Sequence, residues 1–568
     1  MASLDTTPGA QALSGRGPDL TRGTLVAAAI AVCVGQVALA IPAVLNGLFQ
    51  QDLGTTSSQL TWISDAFLVP VTLLELTFGV LGDLFGRKRL LVIGLLTLVL
   101  GQMISVLTPG SGSSTGTRVL ILWSGQIISG LGAAAIFPTT LAMVAAGTHT
   151  ARHRARGISV WAAALAAGGF VSPVAGGWVA RWGWGHEEFA SWRWAFVFVG
   201  ILALLSAVIA MVGAQNSRSP QGRSLDWPGQ LTVALSLFAL LFAVIQGPTS
   251  GWGSWQVVTG FIAFVVFLAL FIVAERRSPA PLLRLDLFAS RAFSVAAIAT
   301  VVGMFAYLGT AYTTSIRLSA IQNFTPLKTS IAFVLLNAMA LLMVPLTSHV
   351  LERYNPRWTL TAGFGLTAVG DFWLSQLSAS HLSIAPVIAP LIVIGTGFAL
   401  ALNAITAVAV NTVPNHLAGM ASGTTSLLRD FGFTLGPAVI GAIALSRAAS
   451  SISAKVASND ALAKALAAFN AAPAHAPAGQ RPELEAAVGA VNSGPLGANA
   501  VPGSVTLPDG KTIPFNPLKD VAFHALDHAY SLGYVVCGVA AVAAAALAAF
   551  GLSGRAHDTV LTEDSLTD

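Results

Sequence analysis

The stretch Gly79-Val-Leu-Gly-Asp-Leu-Phe-Gly-Arg-Lys-Arg89 joins two long apolar segments of the chain. It is too short to form anything except a tight turn, and it places one acid, Asp83, close to three consecutive bases. Its three glycines allow two helix ends and a neighbouring helix to approach each other closely. The stretch therefore predicts a charged turn between two helices that lie side by side in a membrane.

The composition of the chain excludes an ordinary soluble domain. Of its 568 residues, 54% are hydrophobic and 9% are charged, and the mean hydropathy is +0.74. A soluble domain carries about 25% charged residues, so most of this surface must face lipid. Both cysteines, Cys33 and Cys537, lie in apolar segments and indicate neither a disulfide framework nor a metal site. We expect no cleavable signal peptide, because the first apolar run is too long for one.

The apolar segments predict an all-α integral membrane protein. About 20 apolar residues cross a bilayer as a helix, and the sequence contains fourteen runs of this kind. The predicted spans are residues 24–47, 61–81, 89–107, 119–145, 157–180, 194–213, 227–247, 255–274, 292–314, 330–351, 358–377, 384–410, 422–445 and 531–550.

Lysine and arginine are distributed unequally between the two ends of the predicted spans. The end that includes the Gly79–Arg89 turn holds most of them. The short loops at the other end hold only Arg118, Arg181, Arg193, Arg317 and Lys328. Cytoplasmic loops are enriched in these residues, so we expect both termini in the cytoplasm and the chain in the plasma membrane. The isoelectric point near 9.5 then reflects loop charges and not a nucleic-acid-binding surface.

The spans divide the chain into predicted regions. Residues 1–22 and 554–568 form cytoplasmic tails, residues 23–213 an N-terminal six-helix bundle, residues 214–290 a linker with two extra transmembrane helices, and residues 291–553 a C-terminal six-helix bundle. The second bundle contains one long extracytoplasmic loop, at residues 446–527.

This loop is rich in alanine, proline and glycine. Within it, residues 504–513 predict a hairpin around Asp509-Gly510. Residues 461–470 predict a short amphipathic helix, and Asn516-Pro517 predict the start of the helix that leads into the last span. Two interpretations of the loop remain open: an external lid or partner site, or a tolerated insertion without a role of its own.

The Gly79–Arg89 stretch resembles the signature loop between helices 2 and 3 of the major facilitator superfamily. That loop follows the pattern Gly-x-Leu-Ala/Gly-Asp-Arg-x-Gly-Arg-Lys, and this chain departs from it at Leu84, where arginine is usual. The resemblance implies that the turn gates the cytoplasmic mouth of a transporter. The residues that would carry this gating role are Gly79, Gly82, Asp83, Gly86, Arg87 and Lys88.

Further motifs resemble the fourteen-span drug–proton antiporter branch of this superfamily. In the fifth span, Gly168, Pro173, Gly176 and Gly177 are similar to the antiporter signature Gly-Pro-x-x-Gly-Gly, with Ser172 in place of one glycine. Small residues let helix backbones touch and proline removes a helix hydrogen bond, so such a helix can rock against a neighbour. Other similar segments are residues 129–138, 192–194, 225–282 and 419–432.

Two positions depart from that branch where proton handling is usual. The acid that the branch carries in its first span falls at or near Cys33, and no acid occurs between Asp19 and Asp52. The arginine of the fourth span falls on Gln126. We therefore expect proton coupling to depend on other acids.

The remaining acids of the predicted spans are candidates for this coupling. A charged aspartate at the centre of a membrane helix costs about 2.5–3.5 kcal/mol. In an apolar wall a carboxyl group prefers its neutral form and can exchange a proton when its surroundings change. The candidates are Glu75, Asp371 and Asp65, although Glu75 also fits a structural pair with Arg429, and Asp65 an interfacial position. Asp430 is interpreted as a structural partner of Arg429, and the candidate cavity residues are Gln36, Gln126, Trp161, Asn403 and Arg429.

The resemblance implies a monomeric secondary transporter that exports small amphiphilic or cationic compounds, such as drugs, by alternating access in exchange for protons. Membrane lipid would be its surroundings, and no cofactor or metal is expected. Two alternatives fit the same sequence: a facilitator or importer of another solute on this fold, or a membrane-embedded sensor. An enzyme is not expected, because the sequence shows no nucleophile with a base, no metal-ligand set and no phosphate-binding loop.

Overall fold

The computed structural model describes most of the chain between residues 20 and 552. The described ranges are residues 20–147, 151–185, 189–218, 225–278, 281, 283, 285–343, 346–347, 350, 353–381, 383–411, 418–476, 480–506 and 512–552. These ranges are almost entirely helical, with one short two-stranded hairpin. The predicted all-helical class is therefore confirmed.

The first seven helices form the amino-terminal bundle. They are α1 (Arg22–Ala40), α2 (Asn46–Leu53), α3 (Ser57–Phe85), α4 (Arg87–Val106), α5 (Thr115–Ala146), α6 (Ala151–Val179) and α7 (Arg193–Gly213). Short 3-10 turns, Ile41–Val44 and Ala190–Trp192, lie after α1 and before α7. The six long helices pack on one another, while the short α2 lies in the connection between α1 and α3.

Two further helices form what we call the inserted pair. They are α8 (Trp227–Ser250) and α9 (Trp255–Arg277), and a 3-10 turn at Leu285–Ala289 follows them. The two helices pack against each other, and α8 also packs against α3.

The remaining elements form the carboxy-terminal bundle and a small unit beside it. They are α10 (Arg291–Ser315) with a π-helical turn (Ile316–Ile321), α11 (Pro326–Leu342), α12 (Pro356–Ser375), α13 (Ala385–Asn411), α14 (Ala418–Ala457), α15 (Asp460–His475), α16 (Arg481–Asn492), α17 (Pro495–Ala500), β1 (Ser504–Thr506), β2 (Thr512–Pro514), and α18 (Lys519–Ala546) with a π-helical turn (Leu547–Gly551). Helices α10 to α14 and α18 pack together as the carboxy-terminal bundle.

Twelve of the described helices are long and apolar enough to cross a membrane, by length and composition. The two predicted spans outside this set are residues 330–351 and 358–377. A helix is present at both, but the described part of α11 has only 17 residues. Helix α12 has 20 residues and includes Asp371 together with several threonines and glycines, which lower its hydropathy. The count of fourteen spans therefore remains a prediction.

The turn between α3 and α4 consists of a single residue, Gly86. Its φ of 107° lies in the region that favours glycine, and a Cβ atom there would collide with the amide of Asn216. At the opposite end of α3, Thr56 and Gln59 form a reciprocal capping box. The tight turn predicted from the sequence is therefore present. We call this end of the molecule the motif end.

The described residues between 458 and 518 form a small unit that we call the cap, and the end of the molecule that carries it is the cap end. The cap has an apolar cluster of its own, which includes Phe469, Val491 and Leu518. Strand β1 pairs antiparallel with β2, as predicted for the hairpin, although its turn at residues 507–511 lies outside the described residues. The predicted amphipathic helix is α15.

Both helices that flank the cap continue into the segment that was predicted as the long loop. Helix α14 continues past Arg447 to Ala457, because residues 446–457 are mostly alanine, serine and other residues that a helix tolerates. Helix α18 begins at Lys519 and not at Asn516. The side chain of Asn516 instead donates hydrogen bonds to the carbonyls of Ala498 and Val501, at 2.7 and 3.0 Å.

The cap is attached to the end of α10. The buried side chain of Asn499 donates hydrogen bonds to the carbonyls of Ala320 and Ile321, at 3.0 and 3.3 Å. These carbonyls belong to the π-helical turn after α10, where the regular helical bonding pattern has ended. Helix α17 of the cap also contacts α2 of the other bundle. The cap therefore touches both bundles at this end.

Candidate transport cavity

A cavity of about 1860 Å³ lies between the two bundles. Its walls come from α1, α3, α5 and α6 on one side and from α10, α11, α13 and α14 on the other, and residues at the motif end of α8 and α9 complete them. Drug-sized ligands occupy pockets of roughly 300–1,000 Å³, so this space exceeds what one such molecule needs. The cavity lining is mostly apolar, with a small number of charged groups.

The cavity is closed toward the cap end by hydrogen bonds between the bundles. Thr61 of α3 bonds the hydroxyl of Tyr312 of α10 at 2.9 Å, and the amide of Asn46 donates to Ser315 at 2.8 Å. Deeper in the molecule, the hydroxyl groups of Thr72 and Thr434 bond at 2.9 Å. Toward the motif end, the lining instead reaches the charged helix termini, including Asp83 and Asp286. Access is therefore on the motif side.

Glu75 of α3 meets a pair of charged residues from the opposite bundle. Arg429 and Asp430 of α14 form an ion pair in which the guanidinium donates to both carboxylate oxygens, at 2.8 and 3.1 Å. Glu75 is close enough to interact with both of them, and its Oε2 atom is buried without a hydrogen-bond partner. All three residues line the cavity. Two acids and one base therefore share one place.

Asp65 lies outside the cavity lining, at the closed contact between the bundles. Its side chain is fully buried, and neither carboxylate oxygen has a hydrogen-bond partner. It lies one turn from Thr61 on α3 and close to Tyr312, so it is adjacent to the bond that shuts the cap end. The interfacial position that the sequence also allowed remains a prediction, because it concerns depth in the membrane and not burial within the protein.

Asp371 lies inside the carboxy-terminal bundle, away from the cavity lining. It is fully buried and accepts a hydrogen bond of 2.5 Å from the hydroxyl of Thr310. Its second oxygen has no hydrogen-bond partner. Its other neighbours are Tyr534 and Cys537 of α18. The structure therefore does not bring Asp371 together with Glu75.

The turn at the motif end is organised around Asp83 and Arg87. The guanidinium donates two hydrogen bonds to one carboxylate oxygen, at 2.9 and 2.6 Å, and both side chains are buried. The backbone N–H of Arg87 donates to the carbonyl of Ser217, and that of Lys88 to the side chain of Asn216. In this state the motif is thus tied to the segment after α7. Gly79, Gly82 and Gly86 complete the predicted set, and Gly79 also lines the cavity.

The small residues of α6 lie at two helix contacts. A Cβ atom on Gly168 would collide with the carbonyl of Cys33 in α1, and one on Gly177 would collide with the backbone at Leu327 in α11. Gly176 faces the turn after α1, and Pro173 lies inside the helix. Helix α6 therefore packs closely both on its own bundle and on the opposite one.

Three of the predicted cavity residues, Gln36, Trp161 and Arg429, line the cavity. Gln126 does not: it is fully buried between α4 and α5, where its amide donates to Ser105 at 3.3 Å. It points there because its helical face is the one that packs on α4. The side chain of Asn403 lies outside the described residues.

Two features of the cavity were missed at the sequence level. Tyr307 and Phe398 stack in its wall, with ring centroids 3.6 Å apart, and Phe433 lies 6.4 Å from both. Aromatic residues occur throughout the spans, so no pattern distinguished these three. The other feature is Gln230 of α8, which also lines the cavity. Its position in an inserted pair gave no reason to place it there.

A protein-family model described as the Major Facilitator Superfamily matches residues 26–437. The chain belongs to this superfamily. It is 32% identical over 397 residues to the multidrug resistance protein Stp of Mycobacterium tuberculosis, which covers 69% of this chain and 70% of that protein. It is 27% identical to the tetracenomycin C resistance and export protein of Streptomyces glaucescens, and this alignment covers 75% of this chain and 76% of that protein.

Solved structures of similar shape are also transporters. The chain matches a bacterial homologue of the human lysosomal transporter Spinster in an inward-facing conformation, with a TM-score of 0.59, 15% identity, and 93% and 96% of the two chains covered. It matches a peptide transporter, POT, with a TM-score of 0.55, 14% identity, and 76% and 91% covered. At these identities the likeness concerns the fold alone. Together with the family match, it identifies a multi-pass membrane transporter and not an enzyme.

Proposed function

We propose that this protein exports small amphiphilic compounds, including cationic ones, in exchange for protons, by alternating access. Three observations support the proposal. Its relatives carry names that refer to multidrug resistance and to antibiotic export. The cavity between the bundles is large, mostly apolar and partly aromatic. The charged groups at the centre of the cavity are two acids and one base, so their charges do not balance. The proposed coupling to protons rests on this observation.

The imbalance follows from Glu75, Arg429 and Asp430. One guanidinium offsets one carboxylate, so a second negative charge remains close to the first, and like charges at short distance repel each other. A proton on one of the acids removes that charge, and so does a bound organic cation. The proton and a cationic substrate therefore compete for the same place, which is the requirement for exchange. Glu75 is the proposed proton carrier, since Asp430 is already held by Arg429.

The direction of transport follows from the proposed orientation. Lysine and arginine concentrate at the motif end, which we assign to the cytoplasm on the positive-inside rule. The closed cap end then faces outward, and the described state would accept substrate from the cell interior. The opposite state requires the bonds of Thr61 and Asn46 to the other bundle to break, with the two bundles rocking around the cavity.

Asp65 is the proposed second site for a proton. Its carboxyl group is unpartnered beside the Thr61–Tyr312 bond, so it is stable there in the neutral form. When the cap end opens, water reaches this side chain and allows it to ionise. Proton exchange on the outer side would therefore accompany opening. A single chain encloses the whole cavity, so we propose a monomer in the plasma membrane.

The proposal is tested in a bacterial host that lacks its own exporters. Expression is expected to raise the concentration of several amphiphilic cations needed to inhibit growth, and an uncoupler is expected to abolish this protection. An unchanged susceptibility to the whole panel would contradict export. Protection that persists with the uncoupler would favour the facilitator. The Asp83→Asn and Glu75→Gln variants, compared at equal abundance, control for effects on growth that come from producing a membrane protein and not from transport.

A further inference from the structure

The inserted pair lies across the seam between the two bundles. Helix α8 packs against α3 of the amino-terminal bundle and against α14 of the carboxy-terminal bundle. In a protein that works by rocking, a helix in this position must either move with one bundle or bend. The nature of its contacts with each side decides between these possibilities.

Helix α8 packs on α3 through apolar side chains along its middle and through hydrogen bonds near both of its ends. The hydroxyl of Ser58 donates to the carbonyl of Ile245 at 2.8 Å and bonds the hydroxyl of Thr249 at 3.0 Å. Near the other end, Gln230 donates to a backbone carbonyl of α3 and accepts from a hydroxyl of α3. Hydrogen bonds are directional and weaken steeply when their geometry is disturbed. Helix α8 is thus fixed to α3 in both position and rotation.

The described contacts of α8 with α14 are apolar. Leu241 and Ile245 of α8 form an apolar cluster with Val69 of α3 and Ala438 of α14, and Leu435 packs against it. The hydrogen bond described between the inserted pair and α14 is from the indole of Trp252, in the loop after α8, to Ser446 at 3.2 Å. Apolar contact is non-directional, so this surface tolerates sliding.

Gln230 forms two hydrogen bonds with the turn of α3 that includes Glu75. Its amide donates to the carbonyl of Leu73, and its own carbonyl accepts from the hydroxyl of Thr77. The side chain of Gln230 is buried. Leu73 and Thr77 lie one turn apart, and Glu75 lies between them, about 200° round the helix from Leu73. The bonds therefore hold one side of this turn while Glu75 projects from roughly the opposite side.

We propose that Gln230 is a positioning residue for Glu75, and that the inserted pair moves with the amino-terminal bundle and slides over α14. This inference rests on the proposed proton-coupled export. The charged groups that face Glu75 are Arg429 and Asp430, both on α14. Rocking changes the distance between α14 and α3. Without Gln230, the turn of α3 is free to adjust, and Glu75 no longer meets these charges at a fixed position.

The first experiment measures the pH dependence of uphill transport. Wild type and the Gln230→Met variant are reconstituted in liposomes, and accumulation of ethidium driven by a proton gradient is recorded over a range of pH. Methionine keeps the length of the side chain but removes both hydrogen bonds. We expect the pH of half-maximal transport to shift by about half to one unit, whereas a change in the cavity wall alone would alter the affinity for ethidium without moving this pH. Thr77→Val, which removes one of the two bonds, should give a smaller shift.

The matched control is Ser236→Ala. Ser236 is a buried residue of α8 whose hydroxyl donates to Phe264 of α9 at 3.1 Å, so this change weakens the inserted pair without touching α3. Its pH profile should coincide with that of the wild type. An unchanged profile in Gln230→Met, or an equal shift in Ser236→Ala, would overturn the positioning role. A wild type that does not accumulate ethidium, or that ignores the proton gradient, would instead overturn the proposed function.

The second experiment uses cross-links in a background with Cys33→Ser and Cys537→Ser. The pair Ser58→Cys and Thr249→Cys joins α3 to α8, and the pair Ile245→Cys and Ala438→Cys joins α8 to α14 through a short thiol-reactive linker. We expect the first cross-link to leave transport within about twofold of the reduced protein and the second to abolish it, because only the second joins surfaces that slide. Two tolerated cross-links, two inhibitory ones or the reverse pattern would each contradict the inference.

Discussion

Two groups of charges, one within the amino-terminal bundle and one between the two bundles, differ in their ratio of acids to bases. Near the cap end, the carboxylate of Asp52 accepts hydrogen bonds from Arg118 at 2.7 Å, from the indole of Trp192 at 2.7 Å and from Arg193 at 3.5 Å. One acid is thus surrounded by two bases. In the cavity, Glu75 meets one base and a second acid.

The difference distinguishes a charge that stabilises the fold from a charge that is proposed to take part in transport. Asp52 has a donor for both carboxylate oxygens, and Arg193 donates further to the carbonyls of Thr108 and Pro109. Glu75 retains a buried oxygen without a partner, and Asp65 retains two. Asp52 and Glu75 are both only partly buried, so between these two acids the number of partners, and not burial, distinguishes their roles.

The largest effect is expected for Glu75→Gln. Glutamine keeps the shape of the cavity but cannot carry a proton or attract a cation, so uphill export should stop while binding and exchange of an uncharged amphiphilic substrate without a gradient persist. Flux of a labelled drug in reconstituted vesicles, with and without a proton gradient, measures both. Glu483→Gln makes the same chemical change on an exposed helix of the cap and should behave as wild type. Normal uphill export by Glu75→Gln would remove this residue from the proposal.

Asp52→Asn should act on stability and not on coupling. It leaves two buried arginines without their carboxylate, and breaking a buried ion pair costs about 3–5 kcal/mol. We expect lower abundance and a lower melting temperature in detergent, with an unchanged pH profile for the protein that remains. Asp460→Asn, at an exposed position of the cap, is the control. If this variant had normal stability but an altered pH dependence of transport, Asp52 would take part in coupling, which contradicts the comparison.

Asp83→Asn should give an intermediate effect on rate. The change removes the charge that holds Arg87 at the motif end, and loss of one charge-assisted hydrogen bond of about 1.5 kcal/mol corresponds to about tenfold slower transport. Insertion and abundance should not change. Arg89→Gln alters an exposed base of the same turn and should have little effect. Transport at the wild-type rate in Asp83→Asn would end the gating role.

The smallest effect is expected for Asp371→Asn. The asparagine oxygen can still accept the hydrogen bond from Thr310, and the residue does not line the cavity. Initial rates should therefore stay within about threefold of the wild type, or about 0.7 kcal/mol. Abolished uphill export with intact binding would show that the carboxy-terminal bundle has a proton site of its own, as the sequence allows.

The helices and the charged turn could be predicted because each depends on local sequence. Apolar runs of about 20 residues mark membrane helices, and the glycine at position 86 marks a turn that only glycine adopts easily. The helical continuation of α14 beyond residue 445 was not predicted, since an alanine-rich segment is compatible with both a loop and a helix, and only contacts with the cap distinguish them.

The composition of the candidate site could be predicted only in part. Glu75, Arg429 and Asp430 were each visible as rare charges in apolar segments, but their meeting depends on how two distant halves of the chain pack. Gln230 gave no signal, because a single amide in a membrane helix is ordinary until its partners are known. Gln126 was misplaced for a related reason: without the rotation of α5, a polar residue cannot be assigned to the cavity or to a helix contact.

The length of α14 has a mechanical consequence. Its 40 residues span about 60 Å, whereas the hydrocarbon core of a bilayer is about 30 Å thick. The excess length forms a stalk that ends at the cap. A tilt of about 10° moves the tip of an arm of about 30 Å by about 5 Å, so the stalk works as a lever that enlarges small movements of the bundle. The distance between a dye on the cap and a dye on α2 should therefore change during each transport cycle. Single-molecule fluorescence would record this change without a label in the cavity.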